Sequence, residues 1–211
     1  MNPLSFISRL LASPASASQG DGTVGWTLFD NAEAPPSTVP PFRLRIPPGF
    51  VAVQPETPAE PGSLLVTLGE FRLSERSGRV ASLTVGIVNA PGGKATRGGN
   101  DVLEHWDRVG NEMAKGNGAT FDGARQFVFR GSPSADLYYS GIPGPHLQGG
   151  MTVFGAVRAV IAGDAHLLLG SFAGFPAAEA AALNYSSRDN PFLLASFLPF
   201  ADSLEFKSKS P

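Results

Sequence analysis

From Phe42 to Ile46 apolar and basic side chains alternate with a period of two, which predicts a strand with one buried face and Arg43 and Arg45 turned outward. Pro47-Pro48-Gly49 ends it. Leu64 to Leu73 and Val80 to Val88 predict two more strands, and the short polar link Ser74 to Arg79, with Gly78 near its tip, predicts an antiparallel hairpin. Ala90 to Asn100 is a loop on composition. Asp101 then opens a helix, with Glu104 three positions on as in a capping box. Val102, Trp106, Val109 and Met113, with Leu103 beside them, form its apolar stripe. Asp101, Glu104, His105, Arg108 and Glu112 occupy the other face, where i, i+4 charge pairs explain them as a solvated surface. Gly116-Asn117-Gly118 stops the helix.

Four strands are predicted beyond it: Arg125 to Arg130, Ala135 to Ser140, Met151 to Ile161 and Ala165 to Phe172. Ser132-Pro133-Ser134 is expected to turn the first pair and Gly163-Asp164 the second, with Gly141 to Gly150 as the loop between two hairpins. Pro176 to Leu183 reads as a short helix, and Asn190 as the cap of a last one running to Phe206, which Pro199 must kink or divide. Runs of antiparallel strands interrupted by two main helices predict an α+β fold, a single α/β/α sandwich with a curved, mainly antiparallel sheet flanked by helices. Strand–helix alternation of the doubly wound kind is missing, which sets the usual dinucleotide-binding folds aside.

Composition divides the chain unevenly. Of 19 prolines in 211 residues, eleven fall in the first 62. The division expected is a targeting segment or arm over 1–20, a Pro/Gly/Ser-rich arm or linker over 21–41, a domain over 42–206 and a tail over 207–211. Residues 1–20 hold five serines, no acid and one base, Arg9; Ala15-Ser16-Ala17 would serve as a small-residue cleavage site. The reading leans toward an exported, lumenal or organellar protein, with a cytoplasmic one as the alternative. Within the proline-rich stretch, Val24 to Phe29 is an apolar island, read either as a segment folded back on the domain or as an anchor for another protein. No run approaches the ~20 apolar residues of a spanning helix.

A net charge of −2 gives no general attraction for phosphate backbones, so a nucleic-acid partner is not expected. Charged residues make up 16%, against about 25% in an average domain, which favours a surface covered by something else. The absence of cysteine removes disulfides, thiolate metal sites and a cysteine nucleophile.

Catalytic signatures fail at single positions. Around Ser171, Leu169 stands where a nucleophile elbow needs glycine. In Gly92-Gly93-Lys94-Ala95, Ala95 replaces the magnesium-binding hydroxyl of a phosphate loop. His105, His146 and His166 have no metal-ligand spacing, and nothing places the carboxylates of Glu70 and Asp136 face to face. No catalytic residue, cofactor or metal is therefore expected. A weaker anion site is formed by Lys94, Arg97, Gly98 and Gly99, just ahead of the helix at Asp101. Aromatics are the stronger signal: Trp26 and Phe29 in the arm, and Phe192, Phe197 and Phe200 in a C-terminal segment apolar nearly all round, are the candidate protein-binding residues.

The order of these elements resembles the PsbP-like α/β/α sandwich family, which includes extrinsic photosystem II subunits, a Ran-binding accessory protein and DcrB-type proteins. The resemblance spans about Phe42 to Phe206. It rests on the Ile46-Pro47-Pro48-Gly49-Phe50 opening, the hairpin into Ser82 to Ile87, the middle helix, the strand with Leu137-Tyr138-Tyr139, the hairpin over Gly163-Asp164, and the ending Ala201 to Phe206. It implies a non-enzymatic accessory subunit of a larger complex that binds protein partners, with peripheral association through a membrane complex as one form of this; no site residue carries over from it. A small-ligand or lipid-binding pocket protein, and a hydrolase with an unrecognised site, are the alternatives.

Overall fold

A computed structural model gives the structure at residues 25–31, 39–53, 65–74, 79–89, 101–143, 150–162, 165–183 and 186–207. The strands are β1 (Thr27–Asp30), β2 (Phe42–Ile46), β3 (Val51–Val53), β4 (Leu65–Ser74) and β5 (Val80–Asn89), followed by helix α1 (Asp101–Asn117). Next come β6 (Thr120–Phe129), β7 (Ser132–Pro143), β8 (Met151–Ala162) and β9 (Ala165–Pro176), helices α2 (Ala177–Leu183) and α3 (Pro191–Asp202), and β10 (Glu205–Phe206). Seven strands form one antiparallel sheet in the order β3-β4-β5-β9-β8-β7-β6; β1-β2-β10 form a second, small antiparallel sheet.

Period-two alternation sends the strand side chains to two cores. On one face Leu83, Val85, Phe154, Val160, Leu167 and Leu169 meet Phe42, Leu44 and Ile46 of β2 and Leu193, Phe197 and Phe200 of α3. On the other, Leu137, Tyr139, Val153, Val157, Ile161 and Phe172 meet Trp106 and Ala114 of α1. The large sheet is thus buried on both faces, which is why β8 reads as a nearly continuous apolar run. α1 sits close because of Gly110: a Cβ there would collide with the Phe121 ring.

Three local expectations are corrected. The β6–β7 reversal lies at Arg130-Gly131, not at Ser132–Ser134; both residues have positive φ, +48° and +81°, the sign a two-residue type I′ turn demands. Pro133 lies inside β7 opposite Val128, one position before pairing with β8 begins at Ser134, so its missing N–H breaks no ladder bond with β8. β7 continues to Pro143 and pairs there with Thr152, so β6 to β9 form one meander rather than two hairpins. α3 ends at Asp202, where the Ser203 N–H closes onto the Phe200 carbonyl at 3.2 Å, and Glu205–Phe206 turns into a strand against β2. The helix passes undivided through Pro199 because that residue and Ala195 are on its exposed side, where the carbonyl freed by the missing N–H is open to solvent.

Candidate protein-binding face

The apolar island before Phe42 folds back as β1. Antiparallel pairing sets Thr27 against Ile46, Leu28 against Arg45 and Asp30 against Arg43. Phe29 is turned inward: its ring lies 6.2 Å from Phe42 and meets Phe71 edge-on at 5.9 Å. Gly69 makes room, since a Cβ at that position would stand 2.9 Å from the Phe29 ring. Asn31 closes the strand by accepting the Phe42 N–H on Oδ1 at 2.5 Å and donating its own N–H to the Phe42 carbonyl at 3.2 Å.

Alternation about an inward Phe29 leaves Trp26 and Leu28 on the outer face, 47% and 58% exposed. The charges around them are paired unequally. Arg43 donates from Nε to Glu205 at 2.6 Å, and Lys207 donates to both Asp30 oxygens, at 2.8 and 2.6 Å. The bonds and charge of Arg43 hold the Glu205 carboxyl below its ordinary value, with Arg130 and Arg45 adding to the pull. Both acids are thereby occupied, while Arg45 forms no ion pair among the described residues. The face therefore offers an exposed leucine together with a tryptophan ring and an uncommitted guanidinium, the last two being residue types that dominate interface energetics.

The other aromatic candidates lie elsewhere. Phe197 and Phe200 have no exposed surface: Phe197 meets Tyr138 edge-on at 6.4 Å, and both rings share one core with Phe42, Leu44 and Ile46 of β2. Phe192 is half-buried, edge-on to Phe175 at 5.5 Å, with the Arg79 guanidinium 5.6 Å from its ring. Lys94, Arg97, Gly98 and Gly99 lie outside the described residues, as do the side chains of His105 and His146.

Sequence reasoning missed the most heavily built polar cluster. Arg158 of β8 reaches Asp136 of β7 in bidentate fashion, Nε to Oδ1 at 2.7 Å and Nη2 to Oδ2 at 3.0 Å, and bonds Asp202 at the end of α3 through Nη1. Phe127, Phe129 and Phe197 surround the guanidinium at 4.9, 5.0 and 5.7 Å from their ring centres. Burial pushes the Asp136 carboxyl upward, and the hydrogen bonds and charge of Arg158 pull against it. The signal was a lone charge inside Met151–Ala162, since a buried arginine requires a partner. The cluster fastens the end of α3 to the sheet and has no reactive group.

Among the described residues, the other polar groups singled out from the sequence do not assemble into a reaction centre. Ser171, fully enclosed, is 3.0 Å from the Ser196 hydroxyl. His166 packs 5.1 Å from the Trp106 ring. Glu70 and Asp136 stand on strands separated by three others. Among the described residues, no group of three potential ligands could hold a metal, and no helix is long and apolar enough to cross a membrane.

A seven-stranded antiparallel sheet with one helix on one face, and helices plus a small sheet on the other, is the PsbP-like α/β/α sandwich, an α+β fold. Among solved structures, the Ran-binding protein Mog1p of Saccharomyces cerevisiae is similar at a TM-score of 0.50 and 13% identity, over 87% of this chain and 96% of that one. A mutant form of Mog1 gives 0.52 and 15%, over 88% and 97%. Cyanobacterial PsbP, CyanoP, from Synechocystis sp. PCC 6803 gives 0.47 and 16%, over 92% and 100%. The sequence matches no protein-family model and no curated protein. Identities this low define a shared fold and leave the binding surface to be argued from this chain.

Proposed function

We propose that the protein is a non-catalytic binding or assembly subunit that contacts a protein partner through the outer face of its three-stranded sheet. The observation that carries this is the pair Trp26 and Leu28, both exposed, the first just ahead of β1 and the second on it, with Phe29 anchoring the strand from behind. Anchored exposed aromatics lose little freedom on binding, which makes them efficient contacts. Arg45 beside them adds a charged anchor and orients the partner. Phe192, half-buried at some distance from this face, contributes packing rather than contact. On this reading the arm residues that form β1 belong to the domain, and the PsbP-like unit begins there. The described side chains support a binding role over a hydrolytic one, because the buried Ser171 hydroxyl faces Ser196 rather than a base.

The test is the size of the native assembly. In unfractionated native extract the protein should migrate well above its 22.0 kDa. The double variant Trp26→Ala, Leu28→Ser, at native expression, should fall to the monomer position with its melting temperature little changed. A wild-type chain that migrates as a monomer, or a double variant that keeps the wild-type assembly, would overturn the proposal.

A further inference from the structure

Among the described residues β6 ends the large sheet, with β7 as its sole neighbour. Antiparallel register shows which of its backbone groups face outward. Val128 stands opposite Pro133, which has no N–H, so this pair is not a hydrogen-bonded one. Alternation then turns the N–H and C=O of Ala124, Gln126 and Val128 away from β7. The Ala124 carbonyl confirms the direction, because it accepts a bond from Arg188 Nη2 at 3.2 Å, outside the ladder. Among the described residues no hydrogen bond engages the backbone of Gln126 or Val128 on that side, and Val128 is 73% exposed. This is an open template for another strand.

Arginines dominate its charge. Arg125, Arg130 and Arg188 are exposed along or beside this edge, and none forms an ion pair among the described residues. The carboxylates nearby are already engaged: Asp136 and Asp202 by Arg158, Glu205 by Arg43, Asp122 by the hydroxyls of Ser140 and Ser187, and Asp189 by that of Ser186. Three like charges disfavour pairing with a second copy of the chain, which would set arginines against arginines. They favour a strand carrying acids.

We propose that the β6 edge is a second binding surface, separate from the Trp26 face, and that it takes an extended acidic segment of another protein by strand addition. Opposite β6 the added strand places an acid against Arg125, an apolar residue against Phe127, and a second acid beside Phe129 and Arg130. The motif is therefore acid-x-apolar-x-acid. The intervening residues pair with Gln126 and Val128 and make the main-chain bonds, with an apolar one preferred against Val128.

The probe is a fluorescent peptide, acetyl-Thr-Glu-Val-Leu-Thr-Glu-Thr-amide, titrated against the full chain at low salt and read by anisotropy. N-methylation of its third and fifth residues, whose amides would face β6, should weaken binding by about tenfold or more. N-methylation of the fourth, facing away, should change it by about twofold or less. Arg125→Glu should weaken binding about tenfold, as should Val128→Pro, which deletes an outward N–H and spares the β6–β7 ladder. If Val128→Pro fails to fold, Arg125→Glu and the methylated peptides still decide the matter. Absence of binding at about 1 mM peptide, equal binding of a lysine-for-glutamate peptide, indifference to the position of methylation, or self-association through β6 would each overturn the proposal.

Discussion

Replacing Asp136 with asparagine should be among the most damaging polar substitutions in this protein. Asp136 and Arg158 are 1% and 3% exposed, and their two charge-assisted bonds measure 2.7 and 3.0 Å. Asparagine offers one neutral oxygen to a guanidinium that stays buried, and removing one partner of such a pair costs about 3–5 kcal/mol. Arg158 would keep Asp202, which is largely exposed, and the faces of Phe127, Phe129 and Phe197. These place the loss near the lower end, about 3 kcal/mol, or about 6–12 °C in melting temperature for a chain of this length. Urea unfolding at pH 7 measures it directly. The double replacement Asp136→Leu, Arg158→Met removes both charges and retains volume, so it should recover most of the loss. A cost below about 1 kcal/mol for Asp136→Asn, or a double variant as unstable as the single, would refute the reasoning.

Two smaller effects follow from the same kind of accounting. Glu205 has its carboxyl held down by Arg43, so its contribution to stability is present above the ordinary value of 4.5 and fades as pH falls through the lower folded value. Glu205→Gln should therefore lower the melting temperature at pH 7 and match the wild type increasingly well below pH 4.5; a difference independent of pH would contradict this. Asn190 is fully buried and caps α3 by accepting the Leu193 N–H at 3.0 Å. Asn190→Ala should cost about 1–2 kcal/mol in chemical denaturation and Asn190→Ser much less; equal losses would show that the cap bond is not what matters.

The elements that could be read in the sequence are those where one pattern prevailed. The helix at Asp101, the strand at Val80 and the alternation of Phe42–Ile46 all carried their period and stop signals together. The β6–β7 turn was misplaced because Ser132-Pro133-Ser134 is richer in turn formers than Arg130-Gly131, while an arginine at positive φ is unusual. Phe197 and Phe200 read as surplus hydrophobicity because the core they join is built from distant segments, Tyr138 and Arg158 of the large sheet and Phe42, Leu44 and Ile46 of β2, beyond the reach of any local pattern. Arg43 and Arg45 were correctly turned outward, but their unequal pairing depends on Glu205, which the sequence placed in a helix. Trp26 stood out by residue type; Leu28 beside it needed the inward Phe29 to show its direction.

The central pairing of the large sheet also has a temporal side. β5 docks on β9 with Asn89 against Ala165 and Val80 against Gly174, partners 76 to 94 positions apart. On the ribosome β5 is finished first, and at about 5–20 residues per second its partner follows about 4–20 s later. Throughout that interval Leu83, Val85 and Ile87 belong to a strand lacking one of its two neighbours, in a chain poor in charge to repel others like it. Translational pauses between residues 90 and 165 should therefore reduce soluble yield out of proportion to their effect on synthesis rate, and a chaperone that shields β5 should restore it.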